Sequence, residues 1–308
     1  MAFDKLQDGI LRMRNPTVFG LDPKPDYIPS HIMEKHISED GLSLQTVAEA
    51  YLEFNRGLID ALCDVAPAVK PQSAYYEALG SAGVWCLEQT ARYAAHKGLY
   101  TIADVKRGDI GTTAEAYSAA YLGRFGLGGG STVEPFGFDA VTVNAYLGSD
   151  GLKPFLKTCR ENDKAFFALV KTSNPSSGEL QDRTFSDGRT LYETVGDLLA
   201  EITEGERDRY GYSRVGAVVG ATYPEELAKL RRRLTSIFFL VPGYGAQGGS
   251  AADAAHAFGK NGTGAVINSS RAIMCAWKKT GNDGRDYMEA ARAEAVRMRD
   301  DLRAAIGL

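Results

Sequence analysis

Short apolar runs alternate with longer amphipathic runs along most of the chain. Eight of the short runs are rich in β-branched or aromatic residues and are bounded by Gly, Pro or polar positions. They are TVFGLDP (17–23), APAVKPQ (66–72), YTIADVK (100–106), AVTVNAY (140–146), AFFALVKTS (165–173), RVGAVVGAT (214–222), SIFFLVPG (236–243) and GAVINSSRA (264–272). Runs of that length and make-up predict strands. Between them the apolar positions recur at a spacing of three to four. This predicts helices over 43–63, opening on Ser43 as N-cap, and over 76–98, ending at a glycine. Another begins at Thr222 with Pro224 in its first turn, and a long amphipathic helix closes the chain over 286–308.

Strand and helix in strict alternation point to a parallel sheet with crossover helices. Eight such units close most naturally into a (β/α)8 TIM barrel, an α/β fold in which residues 1–308 form a single domain. A doubly wound open sheet is the alternative. Three stretches exceed what the barrel needs: 24–42, the glycine-rich 123–138, and 174–212. These read as loop insertions, serving either as surface elaboration or as a lid.

The polar residues inside the strand pattern carry the functional signal. Side chains alternate across a strand, so Ile102, Asp104 and Lys106 share one face and Ala103 and Val105 the other. In a barrel the first set points inward, with Asp104 and Lys106 at the C-terminal mouth where such barrels build their sites. Asp22, Lys70, Asn144, Lys171 and Ser173 occupy the equivalent ends of other strands. Buried strands seldom hold ionised groups unless these are paired or functional. A ring of them at one rim therefore predicts a site.

The last two strands run into glycine-rich or basic segments. Gly243, Gly245, Gly248 and Gly249 expose backbone N–H groups, and Arg271 offers a planar fork for phosphate oxygens. These are the loops that bind phosphate in many barrels. Gly243 to Gly248 also matches GxGxxG, but a dinucleotide fingerprint belongs after a first strand with an acidic partner downstream.

Composition narrows the chemistry. Of the 308 residues 44% are hydrophobic, and the formal net charge is -4. Nothing in that balance attracts nucleic acid or an anionic membrane, so a small substrate is expected. Cys63, Cys86, Cys159 and Cys275 are far apart and lack CxxC spacing, as in a reduced cytoplasmic protein. The first residues carry acids where a signal peptide carries bases. His31, His36, His96 and His256 fall in loop or helix patterns, and there is no GxSxG elbow. Proton transfer and electrostatics remain, together with Schiff-base chemistry at Lys70 or Lys106.

DVKRGD (104–109) fits the Asp-x-Lys-x-x-Asp signature of the orotidine 5′-phosphate decarboxylase family. FGLDP, VKPQSAYYE, KTSNPSS, VPGYGAQGG and INSSRAI follow in barrel order, so nearly the whole chain resembles the longer bacterial branch of that family. The resemblance implies decarboxylation of orotidine 5′-phosphate to UMP, the last step of de novo pyrimidine synthesis, with no cofactor and no metal. It implies that Lys106 protonates C6 of the pyrimidine, that Asp104 lies against the substrate carboxylate, and that Lys70 and Asp22 hold the ribose hydroxyls. Ser173 would meet the pyrimidine edge, and Gln247 and Arg271 the 5′-phosphate. Asp109 and Thr113 would reach the substrate of a neighbouring subunit, making a cytoplasmic homodimer with shared sites. Lys171 has a site-facing position and no role in this scheme. The Asp-x-Lys-x-x-Asp motif alone is shared with sugar-phosphate decarboxylases and synthases that stabilise an enediolate with Mg2+, which is the alternative reading.

Overall fold

All eight apolar runs become strands of one closed parallel sheet. They are β1 (Thr17–Leu21), β2 (Ala68–Pro71), β3 (Tyr100–Arg107), β4 (Ala140–Val143), β5 (Ala165–Lys171), β6 (Val215–Val219), β7 (Phe238–Val241) and β8 (Ala265–Ser269). Each pairs with its chain neighbours, and β8 closes the ring onto β1 through Thr17 opposite Ile267. The computed structural model describes residues 2–245 and 248–307. The TIM barrel therefore stands, and the open-sheet alternative falls.

Alternate strand residues fill the barrel. Val18, Ala68, Ile102, Ala140, Phe167, Phe238, Leu240 and Val266 form an apolar interior cluster. The intervening residues, among them Phe19, Val69, Ala103, Val141 and Phe239, pack outward against the helices. The helix Ala2–Met13 precedes the predicted pattern and closes the N-terminal end. Its Phe3 ring lies 4.9 Å from Phe238 and 5.1 Å from Phe167. One end of the barrel is thus sealed by aromatic packing, leaving the other for chemistry.

Local signals account for most helix bounds. Ser43 caps Leu44–Leu62 by accepting the Thr46 N–H at 3.1 Å. Pro224 opens Pro224–Arg233, and Tyr287–Ile306 is the closing helix. The span 76–98 differs from expectation, because it divides into Ser73–Glu77 and Gly80–His96. Gly80 turns at φ 59°, and a Cβ on Gly83 would lie 1.7 Å from the Tyr76 carbonyl oxygen, so the two pieces cross closely where only glycine fits.

The three surplus stretches differ in kind. Residues 24–42 contain an extra helix, Ser30–Asp40. Residues 123–138 hold a hairpin of Phe125–Gly128 and Ser131–Val133 that stands exposed. The span 174–212 is only partly an insertion: Leu191–Ile202 is the crossover helix between β5 and β6. Its start is a capping box between Thr190 and Glu193, a signal hidden by the polar run before it.

Candidate active site

The C-terminal mouth opens into a cavity of about 730 Å3. Asp22, Lys70, Asp104, Lys106, Ser173 and Arg271 line it, as sequence reasoning expected. Lys70 follows inward Ala68 by two positions and Asp104 follows inward Ile102 by two, so pleat alternation aims both side chains at the cavity. Asp22 lies just beyond β1. The approach there is tight: a Cβ on Gly20 would come within 1.9 Å of Ser270 Oγ, so glycine lets β1 and the β8 loop meet.

Asp104 is the hub. One of its oxygens accepts from Lys70 Nζ at 2.5 Å and the other from Lys106 Nζ at 2.6 Å. The second oxygen also accepts from Thr142 Oγ1 at 3.0 Å. The Lys70 and Asp104 side chains are 6% and 10% exposed, whereas Lys106 is 45% exposed. Lys70 and Asp104 are thus buried and paired with each other, and Lys106 is the more open member of the array, at the cavity.

Simple alternation does not bring Lys106 there. The register between β3 and β4 slips between Ala103 and Arg107, and Lys106 sits at φ 48° in the left-handed region. That conformation costs a non-glycine residue about 1–2 kcal/mol, and such strain collects where function holds it. Thr142 on β4 holds it by accepting the N–H groups of Val105 at 3.0 Å and Lys106 at 2.9 Å. Its hydroxyl replaces the ladder partners that the bulge removes. Thr142 also lines the cavity.

The field within the array is uneven. Burial alone would raise the Asp104 carboxyl, but the ammonium groups of Lys70 and Lys106 outweigh it and hold that carboxyl well below the usual range. Burial presses Lys70 downward, yet Asp104 and Asp22 outweigh it and keep its ammonium above the ordinary value. Asp22 behaves oppositely: burial raises its carboxyl more than Lys70 lowers it. One Asp22 oxygen is buried with no hydrogen-bond partner, an acceptor left for a ligand hydroxyl.

Other expected residues lie elsewhere. Asn144 turns back on its own loop to accept the Tyr146 N–H at 2.9 Å and does not line the cavity; Thr142, two residues earlier, takes the inward place on β4. Lys171 also misses the cavity. The ladder between β5 and β6 shifts between Leu169 and Lys171, so Lys171 leaves the inward row and pairs with Asp182. Asp109 and Thr113 lie outside the cavity of their own chain. Gln247 lies outside the described residues.

Lys24, Tyr75, Asn174 and Gln181 also line the cavity and were not singled out by sequence. Lys24 Nζ lies over the Tyr27 and Tyr75 rings at 5.5 and 5.6 Å. No strand end marks these positions, since each depends on how a loop folds back. Among the described residues no group of three or more His, Cys, Asp or Glu is placed to hold a metal ion.

A closed (β/α)8 barrel with an ammonium–carboxylate–ammonium array and an arginine lining one mouth has the architecture of a barrel enzyme with a charged site. The chain belongs to the orotidine 5′-phosphate decarboxylase family, whose model, described as Orotidine 5′-phosphate decarboxylase / HUMPS family, matches residues 46–281. It is 43% identical over 303 residues to the orotidine 5′-phosphate decarboxylase of Rhodopirellula baltica, covering 97% of this chain and 98% of that one. Among solved structures, a candidate orotidine 5′-phosphate decarboxylase from Streptomyces avermitilis superposes with a TM-score of 0.79 at 32% identity, covering 100% of this chain and 96% of that one. The OMP decarboxylase of Leishmania donovani gives 0.70 at 32% identity, with 97% and 98% covered.

Proposed function

We propose that this chain decarboxylates orotidine 5′-phosphate to UMP, the last step of de novo pyrimidine synthesis, without an organic cofactor. The observation that carries the reading is Asp104 held between two ammonium groups at the cavity floor, with Lys106 half exposed to the cavity. Breaking the bond from C6 to the carboxylate leaves an electron pair on C6, in an orbital orthogonal to the ring π system. Ring resonance does not spread that charge, so positive charge fixed nearby is the available stabiliser. At about 4 Å and an effective dielectric near 20, one such pair is worth roughly 4 kcal/mol. Lys106 supplies that charge and then its proton to C6, and the neutral amine recovers a proton from water.

Asp104 keeps Lys106 charged and aimed, and opposes the substrate carboxylate until CO2 departs. Asp22, with its unmatched acceptor, and Lys70 take the ribose hydroxyls. Ser173 meets the pyrimidine edge. Arg271, which makes no ion pair among the described residues, takes the 5′-phosphate together with Gln247. Binding energy gathered there holds C6 against Lys106.

The active form in this proposal is a cytoplasmic homodimer with shared sites. Asp109 and Thr113 sit outside their own cavity, next along the chain to Ile110, which is 52% exposed, while Tyr146 and Leu147 after β4 are 83% and 48% exposed. Apolar side chains that open suit a partner surface, and a second copy would carry Asp109 and Thr113 to its neighbour's ribose. The test is loss of orotidylate absorbance in metal-free buffer. Turnover that persists with EDTA supports the reading; turnover that stops with EDTA and returns with Mg2+ overturns the metal-free array as its source. No turnover under any condition overturns it.

A further inference from the structure

Lys171 is a completely buried cation that the proposed chemistry does not use, with 0% exposure at the end of β5. Its Nζ donates to Asp182 Oδ1 at 2.5 Å, and the ammonium lies 4.6 Å from the Tyr223 ring and 5.6 Å from the Tyr192 ring. Asp182 is its sole carboxylate partner among the described residues.

The chain between these two residues forms one wall of the cavity, through Thr172, Ser173, Asn174 and Gln181. A second closure joins the residues next to the ion pair in sequence, 172 and 181. Gln181 Oε1 accepts the Thr172 N–H at 2.9 Å, and Gln181 Nε2 donates to Thr172 Oγ1 at 2.8 Å. Thr172 Oγ1 in turn donates to Asn174 Oδ1 at 2.6 Å. Every polar group of this small network is therefore set by how residue 181 meets residue 172, which depends on where residue 182 is held.

We infer that the Lys171–Asp182 ion pair is a latch that positions the 172–181 wall against the base of the bound nucleotide. The inference rests on the proposed function, in which Ser173 faces the pyrimidine. Swinging this wall away would leave a buried ammonium without its counter-charge, which is strongly unfavourable. The wall is thus ordered when the protein folds, so substrate binding does not bear its ordering entropy. Lys171 and Asp182 are positioning residues, acting through Gln181 and Ser173.

Asp182→Asn tests the latch, since it removes the charge and barely alters shape. The expected result is a KM for orotidine 5′-phosphate raised about tenfold with kcat held within about twofold, the loss of one charge-assisted contact felt in binding alone. Affinity for UMP should fall by the same factor, and inhibition by ribose 5-phosphate, which lacks the base, should not change. Hydrogen exchange should show lost protection confined to 172–182. Where Asp182→Asn does not fold, Lys171→Met, which fills the slot between the two tyrosines without charge, gives the same readings. A folded variant with lower Tm but wild-type KM and wild-type protection overturns the latch. Inactivity of the wild-type protein on orotidine 5′-phosphate overturns the nucleotide reading instead, and exchange at 172–182 still decides the latch.

Discussion

Thr142→Val removes one hydroxyl and keeps the shape of the side chain. The hydroxyl accepts two backbone N–H groups, from Val105 at 3.0 Å and Lys106 at 2.9 Å, and donates to Asp104 at 3.0 Å. Thr142 is 1% exposed, so water does not replace these bonds. Each stranded donor costs roughly 1–3 kcal/mol, and the added methyl recovers about 1 kcal/mol of apolar burial. The net loss is about 1–5 kcal/mol, which lowers Tm by roughly 2–8 °C for a chain of this size.

The larger effect falls on chemistry. Lys106 holds its left-handed φ of 48° against that hydroxyl. Once released, the bulge should relax toward ordinary strand geometry and carry the ammonium away from the place proposed for C6. A displacement near 1 Å costs about a hundredfold in rate. The expected outcome is a kcat for orotidylate decarboxylation lower by roughly 10–100-fold, with KM within about threefold of wild type because the proposed phosphate and ribose contacts would persist. Thr142→Ser, which retains the hydroxyl, should recover most of kcat. The assay is steady-state loss of orotidylate absorbance at 25 °C, beside calorimetry. A folded Thr142→Val enzyme with kcat within twofold of wild type would refute the claim that the bulge aims Lys106.

Lys106→Ala should abolish turnover and leave UMP binding nearly intact; retention of a tenth of wild-type kcat removes Lys106 as proton donor. Arg271→Ala should raise KM by about tenfold to a hundredfold through loss of a charge-assisted phosphate contact, and an unchanged KM takes Arg271 out of the site. Asp109→Ala and Lys106→Ala proteins, each nearly inactive, should regain partial activity when mixed, because in the proposed dimer a hybrid would contain one intact shared site. No recovery after confirmed subunit exchange rules out sharing. Carbon-13 titration of the carboxyls should place the Asp104 midpoint below, and the Asp22 midpoint above, the ordinary 3.8. The depressed Asp104 stabilises the fold at neutral pH, and that contribution is lost as pH falls from the ordinary value through the folded one. Raised Lys70 contributes below its ordinary 10.5, and the contribution is lost as pH climbs through the folded value. Equal midpoints for the two aspartates would contradict the unequal field.

Much of this protein is legible without coordinates. The strands declare themselves because a parallel barrel buries both faces, so each reads as a compact apolar run. Asp22, Lys70, Asp104 and Arg271 could be placed at one rim because they fall at or just beyond strand ends, where pleat alternation and barrel topology dictate direction. What escaped that logic is local and depends on register. Lys106 was expected inward by alternation and reaches the cavity by a bulge. Lys171 was expected inward by the same rule, and a ladder shift turns it outward to Asp182.

Asn144 and Thr142 show the same boundary. Both are polar residues near the end of β4, but only the pairing of that strand decides that Thr142 caps the bulge and Asn144 folds onto its own loop. The order of residues by itself determined the barrel, the polar mouth and the family motif, because these follow from short-range periodicity and spacing. Tertiary structure alone decided which hydroxyl holds the strained lysine and which buried cation secures the wall, because a one-residue slip in a ladder reverses the face of a side chain.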